Sequence, residues 1–140
     1  MNPKKIYSIT DADQLLAVVQ RGDDIGDSRI DLAPSEEYLQ ASCKKLSTET
    51  TFKPHKHIEV IRNTDMTQEA WVILKGAAEV DIYDFDDAIL YTTVLKSGDC
   101  LITFRGGHGF KVVEEDTVLY EFKNGPYYGV KADKVFLSDE

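Results

Sequence analysis

The sequence predicts an all-β protein, arranged as an antiparallel sandwich or barrel and preceded by one short N-terminal helix. From Ile30 onward, β-branched and aromatic residues recur in short segments of period two or near-continuous apolar character, separated by Gly, Pro, Asp and Asn. Turn signals come about every eight to twelve residues, which is typical of sandwiches and barrels. No helical pattern lies between the segments, so the crossovers that a parallel sheet requires are missing.

The chain length favours one domain, because 140 residues can bury about two thirds of their unfolded surface around one core. We expect residues 1–32 to hold the helix and a lead-in, and residues 33–123 to form the barrel. Residues 124–140 would then form a C-terminal return or a lid.

The helix is predicted near the N-terminus. Residues Thr10 to Asp13 can cap a helix through Leu15–Val19, and Gly22 then ends it. A helix of about three turns is more suited to closing one end of a barrel than to carrying chemistry.

Turn residues bound the predicted strands. Gly76 and Gly98 stand in predicted turns and permit a positive φ there, and Pro126 ends a strand because it has no N–H to donate to a ladder. The predicted strands are Tyr38–Leu46, Ile58–Arg62, Ala70–Leu74, Ala77–Tyr83, Ile89–Leu95, Cys100–Phe104, Gly109–Val113, Val118–Lys123 and Lys134–Leu137.

The acidic composition argues against several partners. A net charge of −9 would repel nucleic acid and anionic membranes unless the basic residues were gathered on one face, and they are not gathered in the sequence. The opening residues Met1 to Lys5 are polar and basic, with no apolar stretch behind them long enough for a signal peptide or a membrane span. We therefore expect a soluble cytoplasmic protein with no nucleic-acid and no membrane partner.

Cys43 and Cys100 are the two cysteines of the chain. They lie in strand-like apolar surroundings and form neither a Cys-x-x-Cys pair nor a dense disulfide framework. Buried free thiols are therefore expected.

The three histidines and one glutamate form the most informative pattern. His55 and His57 are two positions apart, so in an extended segment their imidazoles project to the same face and can reach one ion. Glu69 stands at the start of a predicted strand, where it can supply an anionic oxygen, and His108 follows another strand.

At these residues the chain resembles the cupin superfamily. The first cupin motif consists of a glycine, His-x-His, a glutamate and a glycine seven positions after it, and His55–His57, Glu69 and Gly76 are similar to its latter parts. The second motif runs from Gly-Asp through a strand to a histidine, and Gly98–His108 is similar to it. The resemblance covers roughly residues 40 to 123.

The resemblance implies a double-stranded β-helix, the jelly-roll barrel of that family, with a divalent metal ion held by His55, His57, Glu69 and His108. Such a donor set suits Fe(II), Mn(II), Ni(II), Co(II) or Zn(II), and leaves one or two positions for water or substrate. If the long connection before Glu69 shifts the register by one residue, Gln68 replaces Glu69 as the inward-facing ligand.

Three further residues are candidates for binding a substrate. Trp71 shares the face of Glu69, so it either walls the cavity or belongs to the ordinary core. Arg105 can clamp a carboxylate or phosphate with its planar fork, or else form a surface salt bridge. Tyr127 lies in the aromatic loop 124–129, which suits either a lid or a packed return.

The resemblance favours a metal-dependent enzyme that acts on a polar small molecule. Within that class we favour sugar or sugar-acid chemistry of isomerase or epimerase type, in bacterial polysaccharide metabolism. The alternatives are an Fe(II) dioxygenase, a non-catalytic binding module for a sugar or metabolite, and a metal-free barrel with structural histidines. No catalytic residue is assigned, and a homodimer is expected because exposed edge strands must be covered.

Overall fold

The computed structural model describes residues 3–137, and within that range the chain is almost wholly β-structure. The strands are β1 Lys4–Tyr7, β2 Leu15–Gln20, β3 Ile30–Asp31, β4 Ser42–Cys43, β5 Glu69–Lys75, β6 Ala77–Tyr83, β7 Ile89–Lys96, β8 Cys100–Thr103, β9 Gly107–Val112 and β10 Val118–Lys123. Helical residues within the range form a 3₁₀ turn at Gly22–Asp24 and a short helix, α1, at Val130–Asp133. The predicted all-β class and antiparallel pairing are confirmed.

Two sheets pack face to face around the main core. The larger sheet has the strand order β1-β2-β8-β5-β10, and the smaller has the order β7-β6-β9. Their inner faces contribute the buried side chains Ile6, Leu16, Ala17, Val19, Trp71, Ile73, Ala78, Val80, Ile82, Leu95 and Leu101. Across residues 3–137 none of the sheets closes on itself into a barrel.

A strap, residues 25–43, covers part of the outer face of the larger sheet and includes the two-stranded ribbon β3-β4. Leu32 and Ala33 of the strap pack there against Ile102 and Phe104 in a second apolar cluster. Because β5 is apolar on both sides, Trp71 and Ile73 belong to the main core while Ala70 belongs to the outer cluster.

The prediction of an N-terminal helix is wrong. Residues Leu15–Gln20 form β2, a strand that pairs with both β1 and β8. All side chains of β2 are buried, so this strand packs against other residues on both of its faces. A short apolar run of this kind has the same sequence pattern in a buried strand and in a buried helix, which is why the prediction failed. The polar residues expected to cap the helix instead form the β1–β2 turn, in which the N–H of Gln14 donates to the carbonyl of Asp11 at 3.0 Å.

The remaining strand predictions fall into two groups. β6 and β10 have the predicted bounds, and β5, β7, β8 and β9 lie within two residues of theirs. In contrast, Tyr38–Leu46 is reduced to β4, and neither Ile58–Arg62 nor Lys134–Leu137 forms a strand. Ile58 and Ile61 are 79% and 91% exposed, so their apolar pattern has no opposing face to pack on.

The two glycine turns are as predicted. Gly76, between β5 and β6, has a φ of 83°, and Gly98, before β8, has a φ of 90°. Both values lie in the left-handed region that side chains with a Cβ rarely occupy. Among residues 3–137, no helix has the length and apolar character required to cross a bilayer.

Asp84 fastens the β1–β2 turn to the β6–β7 turn. Its carboxylate accepts hydrogen bonds from Ser8 Oγ at 2.5 Å and from the backbone N–H groups of Ile9 and Phe85, both at 2.8 Å. Burial by itself raises the pKa of the Asp84 carboxyl, but these hydrogen bonds outweigh burial and hold the pKa well below its usual range.

We expect Asp84 to make the melting temperature depend on pH. Because its pKa is lower in the folded than in the unfolded chain, it stabilises the fold above a pH of about 4, and this contribution is lost as pH falls further. Thermal melts between pH 2 and 7 should show a steeper acid decline for the wild type than for Asp84→Asn. Asp86→Asn, which changes an exposed carboxylate in the same turn, should retain the wild-type slope. Parallel curves for the wild type and Asp84→Asn would contradict this assignment.

Candidate functional site

A carboxylate and an imidazole meet between the two packed sheets, near the end where β5 begins. Glu69 begins β5 and points to the inner face, and its side chain is only 7% exposed. His108, in β9 of the opposite sheet, places Nε2 at 3.1 Å from Glu69 Oε2. The pair therefore links the two sheets of the sandwich.

Trp71 forms the apolar wall of this site. Its ring lies edge-to-face with His108 and with Phe110, at centroid distances of 5.0 and 5.1 Å. Trp71 follows Glu69 by two positions and Phe110 follows His108 by two, so strand alternation places all four side chains at one interface. Its indole N–H donates to Glu121 Oε1 at 3.0 Å, and the ring is part of the main core, which is one of its two predicted roles.

Lys123 and Tyr127 form the rim of the site. Lys123 pairs with Glu69 across β10 and β5, and its Nζ lies 3.6 Å from Glu69 Oε1. The same ammonium lies 4.4 Å from the centroid of the Tyr127 ring. A hydrogen bond from Thr67 to Asp133 further ties the C-terminal segment to the start of β5.

Sequence reasoning missed Lys123 and Glu121. Alternation in Val118–Lys123 places these two residues on one face of β10, and that signal was available. The pairing of β10 with β5, which brings them beside Glu69 and Trp71, has no local signature.

The electrostatics favour an ionised Glu69. The hydrogen bond from His108 is the largest cause that lowers the pKa of the Glu69 carboxyl. Burial opposes this effect, but the positive charges of His108, Lys123 and Lys134 add to the hydrogen bond, and the pKa lies below its ordinary value. Because a carboxylate can only accept, Nε2 of His108 carries the proton in this contact.

The spacing of this pair fits a divalent metal ion as well as a hydrogen bond. Two neighbouring donors, each about 2.1 Å from an octahedrally coordinated ion, are about 3.0 Å apart. The observed separation of Glu69 Oε2 and His108 Nε2 is 3.1 Å. The separation of the two atoms is therefore compatible with neighbouring ligands of one ion, although the imidazole and the carboxylate would have to turn from each other towards it.

His55 and His57 lie together in the exposed segment 44–66, which carries no strand or helix. Their rings are edge-to-face at a centroid distance of 5.4 Å. Nδ1 of His55 lies 2.9 Å from the carbonyl oxygen of Lys53, and because a carbonyl can only accept, Nδ1 is the donor in this contact. Metal-ligating histidines commonly have this arrangement, because a backbone carbonyl then orients the ring.

The structure thus forms two separate pairs from the predicted ligands. Glu69 contacts His108, and His55 contacts His57. Over residues 3–137, no group of three or more His, Cys, Asp or Glu side chains is placed to hold one ion.

Glu69 and Gln68 were the two candidates for the ligand at the start of β5, and Glu69 is the one that faces His108. Gln68 points to the opposite side, where its Oε1 accepts from the N–H of Leu39 at 2.8 Å and its Nε2 donates to Glu37 at 2.7 Å. The long connection therefore does not shift the register by one residue.

Arg105 does not contact Glu69 or His108. Of its two predicted roles, substrate clamp or salt bridge, the structure shows a salt bridge, with Glu37 as the partner. Its guanidinium donates to both carboxylate oxygens of Glu37, at 2.8 and 2.7 Å, and to the carbonyl of Leu15. The side chains of Arg105 and Glu37 are 23% and 9% exposed, so the bridge is largely buried rather than superficial.

Comparisons with protein-family models, with curated proteins and with solved structures found no match to this chain.

Proposed function

We propose that this chain is a metal-dependent small-molecule enzyme of the cupin type, with a double-stranded β-helix as its fold. His55, His57, Glu69 and His108 would bind one divalent ion. The observation that carries the proposal is the contact between Glu69 and His108 across the two sheets, at the separation expected for neighbouring ligands.

Binding of the ion would bring the two histidine-containing pairs together. Residues 44–66 are exposed and carry no regular hydrogen-bonded structure, so displacing them breaks few contacts. The contact of Nδ1 with the Lys53 carbonyl orients the ring of His55, and Nε2 is the ring nitrogen that would coordinate. Histidines coordinate only through a deprotonated ring nitrogen, so metal affinity should fall as pH is lowered.

The rim suits a sugar acid. When the ion takes over the charge of Glu69, the ammonium of Lys123 becomes available to a substrate carboxylate. Tyr127 is 45% exposed and presents an aromatic face on which the C–H groups of a sugar ring can pack. The ion would supply Lewis-acid polarisation of a carbonyl or enediol oxygen, and Trp71 and Phe110 would exclude water from one side.

Metal binding is the first test. Titration of metal-free protein with Co(II), followed by calorimetry and by the visible spectrum, should give one ion per chain with an octahedral spectrum. Glu69→Gln, His108→Ala and the double variant His55→Ala/His57→Ala should each weaken binding by at least about 100-fold, since each removes ligands. The affinity of the wild type should also fall as pH is lowered.

Two matched variants serve as controls. Glu59→Gln removes an exposed carboxylate from the same segment as His55, and Glu121→Gln removes the carboxylate that accepts from Trp71. Both should bind Co(II) as the wild type does. Wild-type affinity in the double histidine variant would contradict the four-ligand site, and absence of Co(II) binding by the wild type would contradict the metal proposal altogether.

A non-catalytic binding module is the second candidate. An Fe(II) dioxygenase is the third, because the same donor set holds Fe(II). Turnover of a sugar-acid and sugar-nucleotide panel would favour the enzyme. Saturable binding without product favours the module, and consumption of dioxygen with a thiol or catechol favours the dioxygenase.

The homodimer remains a prediction, and β10 is the surface that best suits it. This strand forms one edge of the larger sheet, and its Tyr120 and Phe122 are 59% and 54% exposed. An edge strand with exposed aromatic side chains is a surface that a second copy can cover.

A further inference from the structure

A strand-like segment of this chain lies outside both sheets. Residues 51–63, here called the arm, include both paired histidines, and within residues 3–137 their backbone N–H and C=O groups form no backbone hydrogen bond. Phe52, Ile58 and Ile61 of the arm are 74%, 79% and 91% exposed. Exposed aromatic and β-branched residues, together with unpaired backbone groups in one extended segment, indicate a strand that lacks its partner.

The smaller sheet has an unpaired edge at β9. Its strand order is β7-β6-β9, and across the described residues 3–137 no strand pairs with the far edge of β9. His108, Phe110 and Val112 face the main core from β9, since they stand opposite buried residues of β6. Phe110 and Val112 are nevertheless 37% and 54% exposed, whereas the β6 residues that they pair with are fully buried. The core is therefore open along β9.

The larger sheet extends one strand beyond this edge. Trp71 of β5 contacts His108 and Phe110, so β9 lies opposite β5. The next strand of the larger sheet is β10, whose Lys123 faces inward beside Glu69. A strand added to β9 would lie opposite β10 and close this side of the core. Its inward-facing side chains would also come next to Glu69 and His108.

Both ends of the arm are held on the far side of the larger sheet. Before the arm, the N–H of Lys45 donates to the carbonyl of Gly26 in the strap at 2.8 Å. After the arm, the hydroxyl of Tyr38, also in the strap, donates to Asp65 at 2.7 Å. The strap covers the outer face of the larger sheet, whereas β9 belongs to the sheet on its inner face. The arm thus starts and ends on the side away from its own β9, and pairing with a second copy leaves these anchors intact.

We propose that two copies of this chain exchange their arms, and that each arm pairs with the open edge of β9 in the other copy. His55 and His57 of one protomer then face Glu69 and His108 of the partner subunit. The exchange pairs two unpaired backbone edges and covers the exposed apolar residues of the arm. This inference rests on the proposed metal-binding function and deepens it, because each ion takes ligands from two chains and neither chain has a complete site alone.

Assembly is tested first, without metal. Sedimentation of the metal-free wild type should give a dimer. Ile58→Pro/Ile61→Pro should be a monomer, because the two positions differ in parity, so at least one proline removes an N–H that faces β9. Thr48→Pro should remain dimeric, since it stands before the arm at a turn position that favours proline. A monomeric wild type, or a double proline variant that dimerises as tightly as the wild type, would overturn the exchange.

Two mixed dimers then distinguish exchange from a site within one chain. The first joins a His55→Ala/His57→Ala chain to a Glu69→Gln/His108→Ala chain, and the second joins the wild type to a chain with all four substitutions. Co-expression with two different tags that lack histidine allows each mixed dimer to be purified. Exchange predicts one Co(II) per dimer in the first and none in the second, because only the first then holds a complete ligand set. Should the Glu69→Gln/His108→Ala chain fail to fold, His108→Ala alone carries the same comparison.

The possible results separate the exchange from the metal function. Co(II) in the second mixed dimer and none in the first would show that each site lies within one chain, which overturns the exchange and leaves the metal function standing. Absence of Co(II) from the wild-type dimer would contradict the metal function and the shared site. In that event the sedimentation of the double proline variant still decides whether the arms are exchanged.

Discussion

Replacing Phe104 with alanine is expected to lower the free energy of unfolding by about 3–5 kcal/mol. Phe104 is fully buried and is the largest such side chain in residues 3–137. It follows β8 and packs in the outer cluster with Leu15, Leu32 and Ala33, so it holds the strap against the sheet. Truncation removes both the apolar contacts of the ring and the support of the strap. Denaturation in urea, monitored by Trp71 fluorescence, measures the loss.

Two further variants bracket the Phe104 result. Phe104→Leu keeps most of the buried volume and should cost less than about 1.5 kcal/mol. Phe52→Ala removes a ring that is 74% exposed and should change stability by less than about 0.5 kcal/mol. A loss below about 1 kcal/mol in Phe104→Ala would show that the strap does not depend on this side chain.

Replacing Arg105 with methionine is expected to cost about 3 kcal/mol, because Glu37 is left as a buried carboxylate without its cation. Glu37 is 9% exposed, and Arg105 donates to both of its oxygens. The remaining hydrogen bond, from Nε2 of Gln68, does not neutralise the charge. Chemical denaturation at pH 7 measures the effect, and the Co(II) affinity of the folded variant should equal that of the wild type.

A double variant distinguishes the loss of the ion pair itself from the cost of leaving the Glu37 carboxylate buried without a cation. Arg105→Met combined with Glu37→Leu removes both partners and should recover at least about half of the lost stability. Arg29→Met, which breaks an exposed ion pair with Asp31, should change stability by less than about 1 kcal/mol. If Arg105→Met were as stable as the wild type but failed to bind a substrate, Arg105 would belong to the binding site and the structural role would be wrong.

The strands that were predicted well have clear alternation or clear turns. β6 has the bounds Ala77–Tyr83 in both prediction and structure, because Gly76 sets its start and its buried residues occupy every second position. β2 was mistaken for a helix because its burial on both faces removes the alternation that identifies a strand. Ile58–Arg62 failed for the opposite reason, since it has strand-like residues but no sheet to pair with.

The candidate site was foreseen only in part. Glu69 and Trp71 were expected to share a face, and they do. Arg105 was an open choice between a substrate clamp and a salt bridge, and its partner, Glu37, is too distant in sequence for spacing to suggest it. The sequence also contained no indication that Lys123 would lie beside Glu69.

By itself, the sequence determined the all-β class and the alternation along strands with one buried face, such as β6, because both depend on neighbouring residues and on the period of two. It therefore placed Glu69 and Trp71 on one face of β5. Only the tertiary structure decided that His108 would lie opposite Glu69 and that Lys123 would pair with Glu69. It also decided that His55 and His57, in segment 44–66, would form a pair separate from Glu69 and His108. These choices depend on which distant strands pair and which faces pack together, and such long-range contacts leave no mark on the local pattern of either partner.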